Sequence, residues 1–259
     1  MKKILLMSLP TILFLASGMV IHANEQNTHS YASKAGVSFY ESETGTPPTN
    51  PVTPNPNNPL YPMEPDETAP NPGTGGSLSL DYASSFDFGV HKISTKNEVY
   101  DAQAQRYFDS SVITPDYVQV SDERGTLAGW VLKLKETSQF HATEETEYDE
   151  LSGAALSLTK PVVVSNNNSP APSAQEVINL VPGTEAIIMI ANPGQGAGTW
   201  ITRWGEVSDL HEETQKIGGK DVTKEFSTAI TLSVPGATPK DPVNYKTTLM
   251  WILSDLPQN

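Results

Sequence analysis

The chain contains no cysteine. That excludes a disulfide framework and a thiol nucleophile, so any folded part must rest on an apolar core alone. Basic side chains are also scarce, with 16 Lys and Arg against 30 Asp and Glu, for a formal charge of −14. A field of that sign repels phosphate, which argues against nucleic acid and anionic membranes as partners. A wall polymer would have to be held by short-range contacts or through divalent cations, and solubility is the plain account of the acidity. Long apolar runs are missing after the first two dozen residues. "EAIIMIA" is far too short to cross a bilayer. Tryptophan occurs only 4 times, yet two of the four repeat one figure, Trp-x-Leu.

The chain starts "MKKILLMSLPTILFLASGMVIHA". Lys2 and Lys3 precede an apolar run, and Ala23 supplies a small residue before polar sequence, the layout of a secretory signal peptide over residues 1–23. Its removal takes the charge from −14 to −16, because the segment holds those two lysines and no acid. No membrane span is then expected. Residues 24–76 are expected to be a disordered linker, rich in Pro, Asn and Thr in "TGTPPTNPVTPNPNNPLYPMEPDETAPNPGTGG". Proline fixes φ and removes donors, so such a stretch favours extended conformations and acts as a semi-rigid spacer or, alternatively, a docking peptide.

From residue 77 the texture changes. "SLSLDYA", "DYVQVSD", "GWVLKLKE", "LSGAALSLT", "PVVVS", "FSTAITLSVP" and "TTLMWILSD" are short segments, many alternating apolar with polar, with Gly, Pro, Asn and Asp between them. Such a pattern predicts an all-β domain over residues 77–259, a single sandwich or barrel-like fold of mostly antiparallel strands. "EAIIMIA" is continuous and suits a strand buried on both faces. "NEVYDAQAQRYFD" is the one stretch compatible with a helical turn.

In a strand, residues two apart share a face. Trp130, Leu132 and Leu134 therefore lie together, opposite Val131, Lys133 and Lys135. Leu249, Trp251 and Leu253 lie opposite Met250, Ile252 and Ser254 in the same way. Each tryptophan belongs to one apolar face, which makes it a core residue, or a ring exposed for stacking against sugars. For stacking, Trp200 and Trp204 in "GQGAGTWITRWG" are equally suited. They sit four residues apart, with Arg203 available to hydrogen-bond an acetamido or carboxylate group.

Catalytic patterns are absent. "HEETQ" starts at His211 like the zinc-protease H-E-x-x-H but has Gln215 in place of the second histidine. "GQGAG" lacks dinucleotide spacing, and no G-x-S-x-G occurs. The acidic run Glu144–Glu150 lacks the spacing and central glycine of a calcium loop. Neither an enzymatic activity nor a cofactor or metal site is expected.

Trp130-Val131-Leu132 after "VSDERGTLAG", together with Tyr245, Leu249, Trp251 and Leu253 ahead of "SDLP", resembles the WxL family of Gram-positive cell-surface proteins. The export segment, the spacer and "GQGAGTW" are similar too, and the resemblance covers about residues 77–259. It implies a secreted, non-enzymatic protein held non-covalently at the cell surface, with the domain binding peptidoglycan. The family also implies surface partners, including a sortase-anchored one, and complexes with adhesive binding to host extracellular matrix. "DLPQN" has no Thr-Gly, apolar segment or basic tail, so no covalent anchor is expected. Of the motif residues, Trp130, Leu132, Leu249, Trp251 and Leu253 are expected to be mainly structural. Tyr245 joins Trp200, Arg203 and Trp204 as a candidate ligand contact.

Overall fold

The computed structural model describes residues 29–40 and 44–255. Two compact units divide the chain, Met1–Phe39 and Tyr40–Asn259. The described part of the first, residues 29–39, forms no regular secondary structure. The signal segment expected over residues 1–23 lies outside the described residues.

The second unit is all-β, and every strand pairing in it is antiparallel. Its only helical element among the described residues is a three-residue 3-10 turn at Val207–Asp209, so none is long and apolar enough to cross a membrane. Three larger sheets carry the fold and none closes into a barrel. One, the motif sheet, runs in the order Ser173–Ala174, Glu185–Ala191, Trp130–Glu136, Leu249–Asp255. Another, the middle sheet, runs Leu78–Ala83, Tyr117–Asp122, Gly198–Trp204, Pro161–Val164. The third is built around the long strand Lys220–Val234, which pairs with Leu210–Ile217, Ala155–Thr159 and Glu98–Gln103. Gly218 and Gly219 (φ +56° and +79°) join Ile217 to Lys220, the positive-φ pair a two-residue hairpin needs to match strand twist.

All three sheets turn one face to a single core. The motif sheet gives Trp130, Leu132, Leu134 and Met189, the middle sheet Val118, Val120, Trp200 and Trp204, and the third Leu156, Leu158, Ile230 and Leu232. Burying that much apolar surface is what stabilises a domain with no cross-link. The helical turn expected in "NEVYDAQAQRYFD" is instead strand at Glu98–Gln103 and Arg106–Tyr107. Pairing to Lys220–Val234 outweighs a local preference that had no apolar helical period behind it.

The continuous run "EAIIMIA" is not buried on both faces either. Its register shifts between Ile187 and Met189. Ile188 is the extra residue of a bulge and is buried, while Ile187 faces solvent at 40 % exposure. The strands buried on both faces belong to the middle sheet, where Tyr117–Asp122 is buried at all six positions despite Gln119 and Ser121.

What covers the outer face of the middle sheet corrects the boundary expected at residue 76. Over residues 44–76 the proline-rich segment is a strap folded onto that sheet. Thr49 and Leu60 are buried, Pro62–Met63 pairs with Arg106–Tyr107, and Thr49 bridges to Pro59. Leu60 joins Tyr82, Tyr107, Tyr117 and Ile201 in a second, smaller core. The strap keeps its extended, proline-restricted backbone, and its hydrogen bonds go to buried side chains of the sheet. Gln119 accepts from Thr49 N at 3.0 Å and donates to the Pro47 carbonyl at 3.1 Å. Asp81 accepts from Ser79 and Ser121 hydroxyls at 2.6 Å each, from Gln119 at 3.0 Å and from Thr46 N at 3.2 Å. Burial raises the Asp81 carboxyl above its usual range, and those donors offset only part of the rise. Composition alone reports that such a segment has little to bury; it cannot report that polar partners wait on another strand.

Candidate functional site

The two Trp-x-Leu strands are neighbours. Trp251 lies opposite Leu134, Leu253 opposite Leu132, and Asp255 opposite Trp130. Alternation puts both tryptophans on the core side, as their spacing predicts, but with unequal burial. Trp130 is on a central strand and is fully buried. Its indole N–H donates to the Gly196 carbonyl at 3.1 Å. Gly196 (φ +76°) is where "GQGAG" meets the ring: a Cβ there would stand 2.7 Å from Trp130 Nε1 and 2.4 Å from Ala191 Cβ. The glycine-rich turn is thus a seat for the first motif tryptophan.

Trp251 is on the sheet edge and only partly buried. It packs at 5.9 Å between ring centroids against Trp204, which in turn takes Phe86 edge-on at 6.3 Å. Leu249 and Leu253 are likewise partly buried against the core, and Leu132 is fully buried. The sequence flanking the motifs closes the pair. Arg124 donates from Nε and Nη2 to the two carboxylate oxygens of Asp122 at 2.9 and 2.7 Å and to the Gly129 carbonyl at 3.0 Å, and its Nη1 binds Asp255. The "SDERG" before the first motif and the "SD" after the second are therefore one clamp. Neither stretch carries a local signal that it meets the other, because they lie more than a hundred residues apart in the chain.

The candidate ligand contacts are placed elsewhere than expected. Trp200, Thr202 and Trp204 face the main core, and Ile201 and Arg203 face the strap. Trp200 and Arg203 are each 4 % exposed and Trp204 is sealed. Trp200 spends its indole N–H on the Ala197 carbonyl at 3.0 Å, and Arg203 donates to Glu206. None of the three offers a ring or a guanidinium to an open face. Their four-residue spacing did put both tryptophans on one side, but a strand covered on both faces has no free side. Tyr245 is partly buried, and its hydroxyl donates to the Tyr148 carbonyl at 2.6 Å while accepting from Asp241 N at 2.9 Å. Asp241 also takes Thr146 Oγ1 and Tyr148 N, the first of which does most to hold its carboxyl below the usual range. Tyr245 thus ties down the acidic loop "EETEYDE".

Glu136 ends the core face that starts at Trp130. It is fully buried, and neither carboxylate oxygen has a hydrogen-bond partner. Desolvation pushes its carboxyl up to about 7. One metal-compatible group exists among the described residues, where sequence offered only a failed zinc motif. His211 Nε2 lies 3.0 Å from Glu213 Oε1 and 3.5 Å from Asp101 Oδ2. The signal for it was strand spacing, since residues 211 and 213 share a face.

What remains open is the other side of the motif sheet. Pairing lines up Glu185, Lys135 and Met250 in one row, then Ile187, Lys133 and Ile252, then Ile190, Val131 and Ser254. Ile187 and Met250 are 40 % and 50 % exposed, and Lys133 pairs with Glu185 at 2.9 Å. Lys135 adds a second ammonium, which together with Lys133 holds Glu185 below the usual carboxylate range, the Lys133 hydrogen bond contributing most. In an acidic chain this is a local apolar surface carrying two ammonium groups, one of them paired with Glu185.

Comparison with known proteins agrees with the motif geometry. A family model described as WxL domain surface cell wall-binding matches residues 26–257. No curated protein and no solved structure matches the chain.

Proposed function

This chain belongs to the WxL family of surface cell wall-binding domains, and from that premise we propose an exported, non-enzymatic module that attaches non-covalently to peptidoglycan. The protein is a cell-surface protein that binds the wall; peptidoglycan as the polymer, export by the N-terminal segment and the lack of catalysis are our reading. The observation that carries it is the outer face of the motif sheet. With both motif tryptophans turned inward, that face is what the Trp-x-Leu strands present to the outside. Lysine ammonium groups over Val131, Ile187, Ile252 and Met250 suit a polymer whose peptide stems end in carboxylates and whose sugars carry methyl groups.

Co-sedimentation of the mature chain with purified sacculi tests this. The wild type is expected in the pellet, and a Lys135→Glu, Met250→Asp double variant is expected to bind at least about tenfold more weakly, about 1.4 kcal/mol, with an unchanged melt. Recovery of the wild type in the supernatant, with or without calcium, overturns direct binding. Release of muropeptides on long incubation overturns the non-enzymatic part.

A second reading has its own observation. Leu249–Asp255 is an edge strand, with Trp130–Glu136 as its only strand partner among the described residues. Such an edge can accept a strand from another protein, which would make the chain part of a surface complex held by an anchored partner, with host matrix as a further target. Unchanged surface retention in cells lacking that partner would refute it.

A further inference from the structure

The stretch "HEETQ" fails as a zinc-protease motif, yet the fold gives its first three residues another use. It lies in the strand Leu210–Ile217 and not in a helix. Period two puts His211 and Glu213 on one face and turns Glu212 to the other. Register sets His211 opposite Phe226 and Glu213 opposite Lys224 on the long strand Lys220–Val234. On the far side of that strand Gln103 is opposite Phe226, and Asp101 shares the face of Gln103. Between Ser227, opposite Ala102, and Thr231, opposite Asp101, the long strand carries three unmatched residues. Such a bulge re-aims the side chains around it. Three strands thus bring an imidazole and two carboxylates to one spot, although Leu210–Ile217 and Glu98–Gln103 do not pair with each other.

The spacing is that of a coordination shell. One ligand atom from each of Asp101, His211 and Glu213 lies within 4.8 Å of the others. His211 Nε2 stands 3.0 Å from Glu213 Oε1 and 3.5 Å from Asp101 Oδ2. Zinc holds nitrogen and oxygen ligands at about 2.0–2.2 Å, so two of its tetrahedral ligands are about 3.4 Å apart. A hydrogen bond accounts for only half of the arrangement. Nε2 carries at most one hydrogen, which satisfies one acceptor, whereas two carboxylates converge on it. Among the described residues no lysine or arginine pairs with either carboxylate. Lys224, opposite Glu213, donates to Gln103 Oε1 at 2.8 Å. The buried Phe226 ring packs against the imidazole at 6.5 Å between centroids and floors the cluster. The other side is open, since the His211, Asp101 and Glu213 side chains are 38 %, 20 % and 36 % exposed.

We propose that Asp101, His211 and Glu213 bind one divalent first-row transition ion of the zinc class, through one imidazole nitrogen and two carboxylate oxygens, with a fourth position open to solvent. The donor set selects the metal. Calcium takes about six to eight oxygens, more than three side chains supply. Imidazole favours zinc and its neighbours over calcium and magnesium. Bound there, the ion staples Leu210–Ile217 to Glu98–Gln103 across the long strand, in a domain with no cysteine to cross-link it. The open position takes a water or an oxyanion from outside. The site rests on the geometry of these three side chains and not on the wall-binding reading.

The test is a calorimetric titration of the mature chain, stripped with a chelator, with zinc chloride alone. One equivalent is expected to bind saturably and to raise the melting temperature. Loss of a group that merely orients a metal ligand costs about 10–100-fold in affinity. His211→Gln and, separately, Asp101→Asn are therefore expected to weaken binding at least about tenfold. All three side chains are partly exposed, so the metal-free variants are expected to melt with the metal-free wild type, which separates lost binding from lost folding. Cobalt in place of zinc is expected to give the visible absorption of a four-coordinate ion in the wild type and not in His211→Gln. Calcium and magnesium at equal concentration are expected to leave zinc in place. A titration without saturable heat overturns the site. So does zinc binding that both variants leave intact, which would belong to another histidine, or displacement by calcium, which would mark a mere patch of acidic charge.

Discussion

The strands Trp130–Glu136 and Leu249–Asp255 carry the same Trp-x-Leu figure in adjacent, antiparallel positions, and the fold treats them unequally. The first is central, sealed, and seated on a glycine turn by an indole hydrogen bond. The second is an edge whose tryptophan is partly covered by Trp204. A repeated motif is thus not a repeated role. One copy is a core element, and the other closes the core as an edge strand with no second strand partner among the described residues.

The largest way to break this contrast is Trp130→Ala. It removes a fully buried indole and leaves the Gly196 carbonyl without its donor, at an expected cost of about 3–5 kcal/mol, read as a fall in the denaturation midpoint. Gly196→Ala attacks the same ring from the other side. Its Cβ meets Ala191 and Trp130 inside contact distance at a positive φ, so a loss of about 2 kcal/mol is expected. Trp251→Ala is expected to cost less, about 1–2 kcal/mol, because the ring is only partly buried. Equal losses for the two tryptophans would erase the distinction. Iodide quenching sharpens it independently, since Trp251 is expected to be quenched and Trp130 not.

The smallest effect concerns the far end of the central strand. Glu136 has a folded value raised from 4.5 to about 7. The folded state therefore keeps a proton that the unfolded chain has lost, and the stability this supplies is complete below pH 4.5 and lost as pH rises to about 7. Glu136→Gln is expected to flatten part of that decline in the melting temperature. Asp81 and Asp116, also raised by burial, keep the rest of the slope. An unaltered slope would show that Glu136 reaches solvent.

A second contrast, between the motif sheet and the strap, shows how legible each was. The alternation in "GWVLKLKE" and "TLMWILSD" named the inward and outward residues of both strands correctly, because period two is a property of the chain itself. "EAIIMIA" misled because a bulge and a doubly buried strand leave the same apolar run. The strap misled more, since its contribution to the fold comes from Gln119 and Asp81, some seventy and thirty-five residues downstream of their strap partners. The candidate rings failed for the same kind of reason: Trp200 and Trp204 are on one side of a strand, but the strap covers the other.

The amino-acid sequence by itself determined the all-β class, the inward face of each motif strand and the family. These follow from local alternation, turn residues and a motif whose spacing survives without knowledge of contacts. Only the tertiary structure decided which tryptophan is sealed, that Arg124 joins the two motif contexts, and that the proline-rich segment is a folded layer. Those outcomes depend on which distant polar and apolar groups meet, and burial is a property of the packed neighbourhood and not of the residue.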